Sequence, residues 1–213
     1  VELNLAYDLI RNQEKEILLT IRANGSYNDN SVDGIKANNG VIFTGTGPTY
    51  ITENGGSLDA PFVYHYLGVN PANGNLLFED KNGNPTETPT ASDRKSTNKN
   101  YMPSYQGGFG FDFTYKGFFV TTQFSFVKDV WRYDFDLSSL NDHNGIANFP
   151  QSIDMANYWT VDNPVTDVPA LTATNLALDG LSDRWLRDAS YVRLKTLEMG
   201  YNFKGAFLKK LGV

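Results

Sequence analysis

The 213 residues carry a net charge of −6, two histidines and no cysteine, which excludes a disulfide framework and thiolate metal ligands. Lysine and arginine are scattered along the chain, so no basic patch marks nucleic acid as a partner. No run of about 18 apolar residues exists, which excludes a transmembrane helix. A membrane is not thereby excluded, because a transmembrane strand needs only about 9–11 residues of alternating character.

The opening "VELNLAYDLI" has no basic segment leading into an apolar core, so no targeting signal is read there. Leu3, Leu5 and Tyr7 form one apolar face, and Ile17, Leu19, Ile21 and Ala23 supply a matching one. The polar stretch "RNQEKE" joins them, which predicts an antiparallel hairpin. Residues 24 to 100 then change character, with thirteen Asn, ten Gly and five Pro, a composition of turns and irregular loops. Short strands are predicted within it at 62–67 and 76–78. The "GTG" at 45–47 lacks the lysine and helix pattern of a phosphate loop.

Residues 109–127, "FGFDFTYKGFFVTTQFSFV", give the clearest pattern. Phe109, Phe111, Phe113 and Tyr115 alternate with Gly110, Asp112, Thr114 and Lys116, a period of two. After Lys116-Gly117 the phase shifts to Phe118, Val120, Phe124 and Phe126, as a tight turn between long antiparallel strands requires. A second Asn-, Asp- and Pro-rich stretch covers about 137–181. The last strong strand, 190–203, changes phase between Leu194 and Leu197, which predicts a bulge near Lys195 and Thr196.

Connections therefore run short, very long, short, very long. That order fits a large antiparallel transmembrane β-barrel, with short periplasmic turns at one end and long extracellular loops, about 29–100 and 137–181, at the other. The alternative is a soluble glycan-binding β-sandwich with the aromatics in an inter-sheet core. An enzyme reading has little support. His65 and His143 lie apart in loop-like sequence, and Asp134, Asp136 and Asp154 show no spacing that singles out a catalytic pair. No catalytic residue, metal site or cofactor is expected.

Four passages carry a family likeness: "LAYDLIRNQEKEILLTIRANGSYNDN", "YLGVNPANGNLLFEDKNGN", "MPSYQGGFGFDFTYKGFFVTTQFSF" and "SDRWLRDASYVRLKTLEMGYNF". Together they resemble, in order, the C-terminal barrel region of SusC/RagA-like TonB-dependent outer-membrane transporters. The last resembles that family's recurring strand, here Arg184, Trp185, Asp188, Ser190, Tyr191, Arg193, Leu194, Leu197, Gly200 and Tyr201.

The resemblance implies outer-membrane uptake of a glycan or peptide oligomer in a Gram-negative bacterium, with a SusD-like lipoprotein and TonB as partners and lipid around the barrel. It implies that Ser182–Asp188 is the corner where a long loop returns to the rim. Trp185 would then anchor at the interface, and Asp183, Arg184, Arg187 and Asp188 would pair in water. Tyr158 and Trp159 become candidate contacts for substrate or lipoprotein, because aromatic faces stack on sugars and anchor interfaces. The family also carries a plug, a TonB-contacting segment and a 22-stranded barrel. These 213 residues have no plug or TonB box and lack the final strands, with room for about six to eight long strands. The sequence reads as a partial barrel domain, and "KGAFLKKLGV" resembles the short periplasmic turn before a further strand.

Overall fold

Alternation of apolar and polar side chains underlies five strands of eleven residues each: β1 (Glu2–Asn12), β2 (Ile17–Tyr27), β3 (Tyr105–Tyr115), β4 (Phe118–Lys128) and β5 (Tyr191–Tyr201). In the computed structural model, which describes residues 1–44, 49–97, 99–146 and 148–203, they form one antiparallel sheet in the order β1-β2-β3-β4-β5. Among the described residues the long strands number five rather than six to eight, because the connections use more of the chain than usual loop lengths allow. The "GTG" at 45–47 and the "KGAFLKKLGV" turn lie outside the described residues.

Directly paired residues point to the same side of a sheet, so the register defines two faces. One row reads Leu5, Ala23, Phe109, Phe124, Leu194, and the next on that side reads Tyr7, Ile21, Phe111, Thr122, Leu197. Thr122 is the polar member of this apolar face, and its hydroxyl is satisfied by accepting the Phe111 N–H at 3.2 Å. The other side carries Asp8, Thr20, Asp112, Thr121 and Glu198 in one row. There Thr20 donates to Asp8 at 2.7 Å, Thr121 donates to Asp112 at 3.0 Å, and Arg22 Nε lies 3.1 Å from Asp112.

Two bulges keep the faces in phase. In β5 the pairing steps from Gln123–Thr196 to Phe124–Leu194. Lys195 is therefore the extra residue, and Val192, Leu194, Leu197, Met199 and Tyr201 all stay on the apolar face. In β1 the step from Asp8–Thr20 to Ile10–Leu19 leaves Leu9 unmatched. The sequence pattern missed this second bulge, although the phase change between Tyr7 and Ile10 encodes it.

The short connections share one end. Lys116 (φ 48) and Gly117 (φ 92) make the turn between β3 and β4, the left-handed pair that suits the twist of a two-residue hairpin. Lys116 N–H donates to Glu16 of the first hairpin at 3.0 Å, and Asn202 N–H donates to Gly117 at 2.7 Å, so neighbouring turns are knitted together. Gly110 is required by close approach, since a Cβ there would lie 2.1 Å from the Thr122 carbonyl oxygen.

On the apolar face, Tyr27 and Tyr105 pair at one end with ring centroids 5.0 Å apart, while Tyr115 and Tyr201 mark the other. Ten residue steps at about 3.3 Å span roughly 33 Å, which a tilt of about 40° reduces to about 25 Å along a barrel axis. The large side chains between are open, with Leu5 58%, Leu194 47% and Met199 63% exposed. A sandwich core would bury them; nothing in the described chain does. Left in water, each would forgo about 1.5–3 kcal/mol of burial.

The rest of the chain, Asn30–Tyr101 with Trp131–Asp188, forms a second compact unit. It contains small sheets where composition predicts irregular loops. Val41–Thr44, Thr49–Glu53, Ala60–Val63 and Lys95–Ser96 build one, and Tyr66–Val69, Leu76–Glu79 and Pro85–Thr86 another. The strand expected at 62–67 is split by Tyr64 and His65. Trp131–Tyr133 pairs with Leu186–Asp188, and the short helix α1 covers Phe135–Leu140. Tyr64, Leu76 and Phe78 form a core, flanked by Tyr66, Val69, Leu178 and Leu181.

Candidate functional site

Within the second unit, the corner from Ser182 to Asp188 holds the two long connections together. Ser182 is fully buried; its hydroxyl donates to the Asp179 carbonyl at 2.8 Å and accepts the Arg184 N–H at 3.3 Å, capping the turn. Tyr64 N–H donates to Leu181 and Asp183 N–H donates to Tyr64, each at 3.0 Å, a parallel bridge between the connections. The Asp183 carboxylate accepts the Tyr66 N–H at 2.8 Å and meets His65 Nδ1 at 2.7 Å.

Arg184 is the centre of the corner. Its side chain is 6% exposed and donates to Asp179 at 3.0 Å and to the Asp167 carbonyl at 2.5 Å. The guanidinium lies 4.5 Å from the Trp185 ring centroid and 5.2 Å from that of Tyr66. Burial pushes the Asp179 carboxyl above the usual carboxylate range, and Arg184 opposes that shift. The Trp185 indole N–H lies beside the same carboxylate, outside good hydrogen-bond geometry. Burial also raises the Tyr66 hydroxyl, which donates to Asp167 at 2.9 Å.

This differs from a solvated rim. Trp185 is 4% exposed and sits inside the unit, and Arg184 pairs with Asp179 and not with Asp183 or Asp188. The sequence shows only charges beside an aromatic; the carboxylates that desolvate them come from elsewhere in the fold. Asp188 pairs with Trp131 in the two-stranded ribbon. Tyr191 and Arg193 belong to β5, on its polar face, with Arg193 4.9 Å from the Tyr191 ring centroid. The motif is thus divided between the two units.

Tyr158 and Trp159 are half-buried. Tyr158 bridges Val168 in parallel, and Trp159 N–H donates to Val168 at 2.9 Å. The Trp159 indole N–H donates to Pro71 at 3.1 Å, and its ring covers Gly74, where a Cβ would lie 2.7 Å from it. Trp159 therefore also fastens the second connection to the first. Asn175, missed by sequence reasoning, does the same through its amide, which accepts the Leu76 N–H at 3.0 Å and donates to Leu76 and Glu87 carbonyls at 2.8 Å each.

The acidic residues considered for catalysis have local roles. Asp134 caps α1 by accepting the Leu137 N–H at 2.9 Å, and Asp154 takes part in the Ser152 turn. Among the described residues no cluster of three or more His, Cys, Asp or Glu is arranged for a metal ion. Glu87 instead gathers amides: Asn75 at 2.6 Å, Asn73 at 2.8 Å and Asn70 at 2.5 Å donate to it and hold its carboxyl below the usual range. A lowered folded value means that this contribution is present above the ordinary glutamate pKa of about 4.3 and is lost as pH falls through the folded value. Hydrogen exchange at residues 70–75, corrected for intrinsic rate, is expected to speed up on acidification in that window, and Glu87→Gln to remove the pH dependence. An unchanged profile in the variant would assign the effect to another group.

No protein-family profile matches the chain. Two curated relatives do: TonB-dependent receptor P3 of Formosa agariphila, 32% identical over 180 residues, covering 78% of this chain and 17% of that protein, and TonB-dependent receptor P39 of the same organism, 30% identical over 143 residues, covering 65% and 13%. Among solved structures, the RagAB peptide transporter superposes with a TM-score of 0.80 at 23% identity, over 94% of this chain and 22% of that one. The RagAB peptide importer in its closed-closed state gives 0.83 at 22% identity, over 97% and 23%. The chain belongs to the TonB-dependent receptors. It spans less than a fifth of the length of the curated relatives it matches. As a TonB-dependent receptor segment it is all-β, and its five-stranded sheet is a portion of a large antiparallel β-barrel that does not close on itself.

Proposed function

We propose that this TonB-dependent receptor takes up a glycan or peptide oligomer across the outer membrane of a Gram-negative bacterium. This chain would supply five wall strands and two interlocked extracellular connections. The observation that carries the reading is the segregation of connections on a sheet whose apolar face is open and bracketed by tyrosines. Lipid covers that face in this reading, and the Asp8, Arg22, Asp112 and Glu198 side faces the lumen. A SusD-like lipoprotein on the extracellular side and TonB, acting through a plug region, complete the machine. Tyr158 and Trp159 remain the residues proposed for contact with substrate or lipoprotein; Arg184, Trp185 and Asp188 are proposed to brace the corner of the same unit, and Tyr191 and Arg193 to belong to the upper lumen wall. The work is binding and gating, with no bond made or broken in the cargo.

The absence of cysteine in these residues suits a labelling test. In the full-length receptor on intact cells, Lys81→Cys is expected to react with a membrane-impermeant maleimide, while Lys15→Cys and Lys116→Cys react only after permeabilisation. All three side chains are exposed, so burial does not confuse the result. Labelling of all three on intact cells would sink the topology.

A further inference from the structure

The ribbon of Trp131–Tyr133 and Leu186–Asp188 places Arg132 directly opposite Arg187. Direct cross-strand partners have Cβ atoms about 4.5–5.5 Å apart on one face, and like charges there are destabilising. Sequences usually avoid such a pair or set a carboxylate beside it. Among the described residues neither guanidinium has a carboxylate within 4 Å.

Each arginine is nonetheless held. Arg132 Nη1 donates to the Tyr101 carbonyl and, at 2.9 Å, to that of Trp131, and its guanidinium lies 4.0 Å from the Tyr101 ring centroid. Arg187 Nη1 donates to the Arg184 carbonyl at 2.5 Å and reaches that of Leu186 at 3.5 Å, with the Trp185 ring 5.7 Å away. The carbonyls take one nitrogen of each fork and neutralise no charge. Nε–H and the Nη2–H groups of both are left without a protein partner among the described residues. Stacking and main-chain anchoring also remove much of the rotamer freedom that a solvated arginine keeps, so less entropy remains to be lost on binding.

We propose that Arg132 and Arg187 form a binding site for an oxyanion, a carboxylate, sulfate or phosphate group, on the ribbon of the loop unit. Guanidinium forks match the geometry of such groups and form the stronger, charge-assisted class of hydrogen bond. A bound anion would convert the repulsion across the ribbon into attraction to a shared centre. The group could belong to an acidic oligomer or to a lipid headgroup. The inference concerns binding alone and does not depend on uptake.

The test is hydrogen exchange at residues 131–133 and 186–188 of the full-length receptor. In neutral detergent, sodium sulfate is titrated against sodium chloride at matched ionic strength. Sulfate at ten times its Kd is expected to slow exchange there about tenfold, and Arg132→Gln and Arg187→Gln each to abolish the effect. Without sulfate, either variant should exchange no faster than the parent, because a repulsion has been removed. A second arm places the receptor in nanodiscs with and without phosphatidylglycerol. Protection only with the anionic lipid would assign the site to a headgroup, and protection by sulfate in detergent to a free or oligomer-borne anion. No protection in either arm, or protection that survives both substitutions, would overturn the proposal.

Discussion

Phe111→Arg in the full-length receptor is expected to cost about 2–4 kcal/mol of stability in lipid vesicles, the cost of a charge facing lipid near the bilayer midplane. Phe111 lies near the middle of the stretch between the tyrosines at 105 and 115 and shares its row with Ile21 and Thr122. Two controls locate the effect. Tyr115→Arg, on the same face but at its end, should cost about 0–1 kcal/mol. Thr114→Arg, one residue away on the opposite face, should cost little, because its side chain has water to reach. Denaturant titration of the three variants reads both depth and face. Equal losses at 111 and 114 would mean a sheet buried on both sides, and equal losses at 111 and 115 would remove the depth dependence a bilayer imposes.

Arg184→Met is expected to destabilise the loop unit by about 3–5 kcal/mol, since removing one partner of a buried ion pair strands the other charge. Asp179 would be that stranded group. Its folded pKa is already raised by burial, so its ionisation opposes folding: stability is highest below the ordinary value of about 3.9 and is lost as pH rises through the folded value. The loss in Arg184→Met should therefore be largest at neutral pH and shrink on acidification. Arg184→Met combined with Asp179→Leu should recover most of it, because apolar replacements of buried pairs are often neutral. Local exchange across residues 176–186 measures all three. A double variant as unstable as the single one would show that Arg184 acts through its stacking on Trp185 and Tyr66.

The wall was legible because its information is local. Alternation along Phe109–Tyr115 and Phe118–Phe126 gives strand, face and turn together, and the lost beat after Leu194 gives the Lys195 bulge. The loop unit hides its structure in contacts without period. Asparagine reads as a turn former, yet Asn175 takes the place of a strand neighbour for Leu76, and Glu87 collects three amides from a turn it does not belong to. Arg184 and Trp185 were visible as a motif, but their burial depends on Asp179, Asp167 and Tyr66, whose partnership no spacing announces. Trp159 was picked for its chemistry, and its tie to Pro71 and Gly74 became visible only in three dimensions.

The bridge between the two connections also sets an order of events during synthesis. Leu76 and Phe78 are made well before the groups that close over them, Asn175, Leu178, Leu181 and Ser182. At about 5–20 residues per second, the ribosome needs several seconds to add them. For that interval the strands from Ala60 to Glu79 have no lid for their apolar side chains. Until those residues arrive the nascent receptor carries an exposed, sticky segment, a surface suited to a holding chaperone.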